Sequence, residues 1–374
     1  MKVLLIIDHF GSGGAQRQMV ELACGLERRG HRVEMFVYFP QYDFFRPRLD
    51  RHQIVVHAHA ARRGRPLGVV RSLASLLRTG AFDVATSYLG TANIYAEIAR
   101  LAARNTRLVV SERTSFHDDR SGPAALGRRL LHHLADQVVA NSETQAAWLR
   151  QRPWLRNKVT CIYNGVDLDA FQPPAAVPAR AGDLRLLGVG RIGPEKNLLN
   201  VVAALADFSA RHCWVPRIDW AGSRDDSRAG RRYCARVDAL LEAHPEVKRG
   251  WTWLGLQSDM PSLLRGYHAL IHPSLYEGLP NAVCEALASG MPVLASDVCD
   301  HPFLVEDGRR GFLFDPSNPA EIRRAIERLA GLDAAGWSAF GRNARDYASS
   351  HLGVEKMVAA YEALFERMIA ARRA

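Results

Sequence analysis

The stretch SLYEGLPNAVCEALASGMPVLAS, residues 274–296, holds two glutamates, Glu277 and Glu285, on either side of a helix start. Pro280 suits the first turn of a helix, where its missing N–H costs nothing. NAVCEALAS continues as good helix, and Gly290 is placed to end it. PVLAS then reads as a short buried strand. This reading puts Glu277 in a loop above a helix N-terminus and Glu285 about two turns down the same helix. A carboxylate in that inner position needs a partner, which the rest of the chain must supply.

Short apolar runs alternate with helical segments outward from this stretch. VLLIID, VEMFVY, IVVH, DVATS, LVVSE, QVVAN and VTCIY read as strands in the first half, and LRLLGVG, RIDWAG, WTWLG, HALIHPS and PVLAS in the second. Residues 14–29 place Met19, Leu22, Ala23 and Leu26 on one helical face, and Gly30 ends that helix. Residues 168–183 are rich in Pro and Ala and read as a linker. The expected fold class is α/β, with two Rossmann-like doubly wound domains, residues 1–167 and 184–352, facing one cleft.

The 374 residues carry a net charge of +10. Residues 1–180 hold 25 Lys and Arg against 15 Asp and Glu, so the whole excess lies in that half. Arginines interleave with apolar residues in FFRPRLDR and ARRGRPLGVVRSLASLLR, including Phe44, Phe45, Leu67, Val69, Val70, Leu73, Leu76 and Leu77. Solvated basic surface is one reading; an anionic membrane surface is the other. Nucleic acid is excluded as a partner, since there is no recognition motif and no basic–aromatic interleaving. No run reaches the length of a membrane span, and MKVLLIIDHF is too short for a signal peptide. Six cysteines without metal spacing read as reduced thiols in a cytoplasmic protein.

Two phosphate-type elements stand out. DHFGSGGAQRQ, residues 8–18, follows the first strand, and Gly11, Gly13 and Gly14 let backbone approach a ligand at a helix N-terminus. A dinucleotide fingerprint fails there, because Gln16 stands at the third glycine position. GVGRIGPEKNLLN, residues 188–200, opens the second domain. Gly190, Arg191 and Lys196 lie at its strand end and helix start, where two cations suit a diphosphate. The alternative is a surface charge pair near Glu195. A bound nucleoside diphosphate would then supply the partner for Glu285, whose carboxylate can accept both ribose hydroxyls. Backbone N–H groups around Leu279 and Asn281, on either side of Pro280, would face the phosphates, with these three residues binding the donor and Glu277 near the group carried on the far phosphate.

These residues resemble glycosyltransferase family 4, of the GT-B fold. SLYEGLPNAVCEALASGMPVLAS is similar to its E-x7-E segment, GSGGAQRQMVELACGL to its N-terminal Gly-Gly loop and helix, and GVGRIGPEKN to its phosphate motif. YNGVDLDAF and FLVEDGRRGFLFDPSNPAEI resemble two further signatures, so the likeness runs along nearly the whole chain. It implies a retaining, metal-independent transfer of a sugar from a nucleotide-sugar donor, UDP-sugar favoured, with no cofactor. Arg191 and Lys196 would contact the diphosphate, Glu285 the ribose and Glu277 the donor sugar, while Gly13 and Gly14 would lie on the diphosphate side of the cleft. A C-terminal helix, residues 353–374, would cross back onto the first domain.

Within the family, SYLGTANIYAEIA and VVSERTS look most like bacterial transferases that extend undecaprenyl-diphosphate-linked glycans. That likeness implies a lipid-linked acceptor, peripheral binding to the inner face of the cytoplasmic membrane, and an acceptor contact for Arg113. Relatives often carry His where Arg113 stands, and His117 follows as a candidate for the catalytic-histidine role. The alternatives are a nucleotide-sugar epimerase or a soluble-acceptor transferase of the same fold. A non-enzymatic binding protein would need a broken donor site, yet Arg191, Lys196, Glu277 and Glu285 are all present.

Overall fold

A computed structural model of the chain describes residues 1–60, 66–113, 129–174 and 184–373. His117, Arg62, Arg63, Arg65 and residues 175–183 of the expected linker lie outside the described residues. The chain divides into two units. Met1–Gly165 and Val354–Ala374 form one, and Val166–Gly353 forms the other.

The first unit holds strands β1 (Lys2–Ile7), β2 (Arg32–Val37), β3 (Val55–Ala58), β4 (Val84–Tyr88), β5 (Arg107–Glu112), β6 (Gln137–Ala140) and β7 (Val159–Cys161). They form one sheet in the order β3-β2-β1-β4-β5-β6-β7, parallel throughout. A parallel sheet is covered on both faces, which is why β1 reads VLLII with every one of those side chains buried. The order reverses between β1 and β4, so the Gly-rich loop after β1 sits at the switch point. The C-terminal helix Val354–Arg373 belongs to this unit. Its Met357, Val358, Tyr361, Leu364, Phe365 and Met368 are buried in one core with the helix Gly14–Arg28. Arg28–Glu355 and Arg29–Glu362 ion pairs, 2.9 and 2.8 Å, flank that contact.

The second unit holds β8 (Arg185–Val189), β9 (Arg217–Ala221), β10 (Trp251–Gly255), β11 (Ala269–His272), β12 (Val293–Ser296) and β13 (Gly311–Phe314), in the parallel order β10-β9-β8-β11-β12-β13. Its switch point lies between β8 and β11. Their register pairs Leu186 with Ala269 and Gly188 with Ile271, so the loops that follow the two strands begin side by side. β13 was not expected from the sequence. It is GFLF, which opens with glycine and lies between the charged and turn-type runs EDGRR and DPSNP, so it read as part of a loop.

The helix after β11 begins at Asn281, with Pro280 as its cap, and runs to Ala288. Glu285 therefore lies about one turn inside it, not two. Gly290 follows in the left-handed conformation, φ 62°. All six cysteines are free thiols, with Cys24, Cys234 and Cys284 buried. Of the apolar residues among the arginines, Val69, Leu73 and Leu77 are core, while Phe44 and Leu67 are exposed. Among the described residues no helix is long and apolar enough to cross a membrane.

Candidate functional site

The site is built on the two loops at the switch point of the second unit. After β8 the chain passes Gly190 at φ 143°, a conformation L side chains rarely adopt. A Cβ there would meet Lys196 Cε at 2.7 Å, and a Cβ on Gly222 would meet the Gly190 carbonyl oxygen at 2.0 Å. Trp220 Nε1 donates to that same carbonyl at 2.8 Å, which fixes the bend. A single turn, Pro194–Lys196, follows, and Asn197 then takes the left-handed conformation, φ 55°. Asparagine tolerates this better than most residues, and its side chain donates to the Pro316 carbonyl at 2.7 Å. The helix Leu198–Arg211 starts there. The geometry turns Lys196 back toward β11.

The loop after β11 carries the counter-charge. Leu275 N–H donates to the Glu195 carbonyl at 2.8 Å and ties the two loops together. Lys196 Nζ pairs with Glu277 Oε1 and lies 3.4 Å from Ser274 Oγ. Ser274 Oγ donates to the same Oε1 at 2.9 Å, and His272 Nε2 approaches it at 3.1 Å. The Glu277 amide donates to Cys299 Sγ at 3.4 Å. Burial works to raise the Glu277 carboxyl, but the Lys196 ammonium and the His272 hydrogen bond outweigh it and hold it far below the carboxylate range. Burial drives His272 below the ordinary histidine range, and burial with His272 beside it takes His301 down to about 3. Both rings are therefore neutral near pH 7.

Arg191, in the β8 loop, is 61% exposed and lies 3.5 Å from Glu195 Oε1. Glu285 is 4% exposed on its helix, and Leu279 and Pro280 are buried at its start. Gly190, Arg191, Lys196, Glu277, Leu279, Pro280, Asn281 and Glu285 thus all belong to the two loops and one helix at this switch point. The arrangement combines one exposed cation, one cation already held by a carboxylate, and a helix start. Such a set can bind and neutralise an anionic leaving group.

Gly13, Gly14 and Arg113 belong to the first unit. Gly13 caps the helix Gly14–Arg28 in extended conformation, and Gln16 Nε2 donates to Asp8 Oδ1 at 2.8 Å across the loop. Arg113, just past β5, stacks on the Tyr88 ring at 4.0 Å and donates to Asn164 Oδ1. Beside it, buried His132 bridges Glu97 at 2.5 Å and Glu112 at 3.0 Å. Burial opposes charge on His132, yet the two carboxylates push it up to about 10. Sequence reasoning missed His272, Ser274, Cys299 and His301. The first two lie in HPS, where His272 ends β11 and Ser274 opens the Glu277 loop, which is a readable signal. Cys299 and His301 come from the loop after β12, which no local pattern connects to Glu277.

Residues 12–170 match the family described as Glycosyltransferase Family 4, and residues 183–331 match Glycosyl transferases group 1. The D-inositol 3-phosphate glycosyltransferase of Streptomyces scabiei is 31% identical over 241 residues, 61% of this chain and 54% of that protein. The UDP-Gal:alpha-D-GlcNAc-diphosphoundecaprenol alpha-1,3-galactosyltransferase of Escherichia coli is 29% identical over 185 residues, 46% and 45%. The chain spans about half the length of the curated relatives it matches. Among solved structures, Anabaena HepE in complex with UDP superposes with a TM-score of 0.82 at 20% identity, covering 98% of this chain and 100% of that one. Sucrose-phosphate synthase from Thermosynechococcus elongatus gives 0.81 at 19%, covering 99% and 100%. These likenesses, with two parallel doubly wound sheets, make the fold GT-B. The chain belongs to the family 4 glycosyltransferases.

Proposed function

We propose that this protein is a retaining, metal-independent glycosyltransferase. It moves a hexose from a UDP-sugar to a lipid-linked oligosaccharide acceptor, at the cytoplasmic face of the membrane. The observation that carries the reading is the Lys196–Glu277 pair at the switch point, with Arg191 exposed on the same loop. The departing group is a nucleoside diphosphate, and developing charge on it would be met by Arg191, Lys196 and the helix start at Asn281. Cations there take the part that a metal takes elsewhere. Glu277 is a poor candidate nucleophile, since one of its oxygens already accepts from Lys196, Ser274 and His272. Its role is to hold a hydroxyl of the donor sugar, while Glu285 serves the ribose. His117 remains a candidate catalytic group.

The acceptor side of the reading rests on the first unit. Arg113 on its Tyr88 platform suits an anionic acceptor. Tyr42, Phe44 and Leu67 are exposed near Arg46, Arg51 and Arg71, a composition that fits an anionic bilayer surface. The Escherichia coli relative's name, which specifies a diphosphoundecaprenol substrate, supports the same class. A soluble inositol phosphate is the second reading, favoured by the names of the Streptomyces relatives.

The test is a thermal-shift panel of UDP, GDP, ADP and NAD on wild type and Glu285→Ala, followed by transfer assays. A ligand that binds only the native state raises the midpoint. UDP is expected to stabilise wild type but not the variant, and transfer is expected to an undecaprenyl-diphosphate-linked glycan and to persist in EDTA. Stabilisation by NAD alone would sink the reading, and transfer only to inositol phosphate would select the soluble acceptor.

A further inference from the structure

We propose that His272, together with Ser274, is a positioning residue that keeps Glu277 fixed and ionised when Lys196 leaves it for the donor diphosphate. The inference rests on the donor-site reading above. Glu277 Oε1 faces three groups, and only Lys196 carries a full charge. Lys196 cannot neutralise a carboxylate and a diphosphate equally, so a donor phosphate competes for it. A buried carboxylate that lost its only partner would take up a proton or swing away. Ser274 Oγ and His272 Nε2 remain as neutral donors to the same oxygen.

The ring geometry sets the proton. His272 Nε2 faces a carboxylate, so the proton sits on Nε2 and Nδ1 is bare; Nδ1 has no hydrogen-bond partner among the described residues. His301 packs edge-on against His272, ring centres 5.2 Å apart at 84°. Its Nδ1 donates to the Ser296 carbonyl at 2.8 Å, which fixes that ring in turn. With Lys196 in place burial keeps both rings neutral near pH 7, so His272 and Ser274 offer Glu277 fixed hydrogen-bond donors rather than a second cation. The other groups around Glu277 are Cys299, whose thiol is pushed up by burial, and Asp300 beside it. The site thus joins one removable cation to two fixed neutral donors, and a carboxylate so held can grip a sugar hydroxyl without losing its charge to a neighbour.

The test compares UDP, which reaches Lys196 but has no sugar, with the tightest binder among UDP-glucose, UDP-galactose and their 2-acetamido analogues. His272→Phe keeps a ring and removes the donor; His272→Gln keeps an N–H donor. Binding is measured by calorimetry, with thermal midpoints checked for each variant. His272→Phe is expected to bind UDP within about twofold of wild type and to lose about tenfold or more in UDP-sugar affinity, with His272→Gln recovering much of it. Its UDP-sugar affinity should also weaken as pH falls from about 7 to about 5, where wild type stays level, as Glu277 becomes able to take a proton. Equal losses for UDP and UDP-sugar, or wild-type behaviour with both, would overturn the inference. A wild-type protein that binds neither probe would instead remove the donor-site reading, and this inference with it.

Discussion

Lys196 is held by Glu277 on one side and by the Gly190 bend on the other, so its position depends on residues that never need touch the ligand. If it stabilises a leaving diphosphate, Lys196→Ala should lower kcat by about 10²–10³ with little change in donor KM, as for loss of one charge-stabilising donor. Steady-state kinetics over a donor series decide this, and a change in KM alone would refute the leaving-group role. Gly190→Ala is expected to act in the same direction, because a methyl group at φ 143° both strains the backbone and crowds Lys196. These residues were legible in the sequence because family-type spacing places glycine, cation and glutamate at strand ends. His301 was not, because it reaches the cluster through the β12 loop, and contact between loops on different strands leaves no local period to read.

At the scale of the element, β5 ends in Glu112, and that end is tied to the helix Gly90–Arg100 through His132 and Glu97. The strand itself was readable as LVVSE, and so were strands as short as β3, β6 and β7; β13 escaped because GFLF opens with glycine between the charged and turn-type runs EDGRR and DPSNP. The tie was not readable, because His132 lies in a single turn that no periodicity marks. It has a definite pH signature. A histidine whose folded pKa is raised contributes stability that is full below its unfolded value near 6.5 and is lost as pH rises toward about 10. Wild type should therefore lose stability between about pH 7 and pH 10 more steeply than His132→Gln. At pH 7 the variant should be less stable by about 3–5 kcal/mol, since it leaves the buried Glu97 carboxylate without its cation, while partly exposed Glu112 keeps the Arg129 charge and the Asn93 hydrogen bond. Urea melts at several pH values give both quantities, and parallel pH profiles for the two proteins would show that His132 is not charged in the fold.

The whole molecule interrupts one unit with another. The chain leaves the first unit at Gly165, runs through the second, and returns at Val354 to finish the first unit's core. The two crossings lie side by side: Val166 N–H donates to the Leu352 carbonyl at 2.7 Å, and a Cβ on Gly165 would meet Val354 Cα at 2.7 Å. Gln18 holds Gly165 within the first unit, donating to the Gly165 carbonyl and accepting its N–H, both at 2.8 Å. Among the described residues, the second unit's core, from Leu184 to Phe340, draws on nothing beyond residue 353. The first unit's core does, through Met357, Val358, Tyr361, Leu364, Phe365 and Met368. Each such side chain contributes about 1.5–3 kcal/mol when fully buried. Losing six, about 9–18 kcal/mol, is comparable with or larger than the roughly 5–15 kcal/mol that keeps a domain folded. A chain ending at Gly353 should therefore lose one cooperative calorimetric transition, that of the first unit, and keep the other. UDP should still raise the midpoint of the transition that remains, because Lys196, Glu277 and Glu285 all lie in the second unit. Retention of both transitions would mean that the C-terminal helix only covers the first unit. Loss of both would mean that the second unit's folding depends on the first, although its core residues do not.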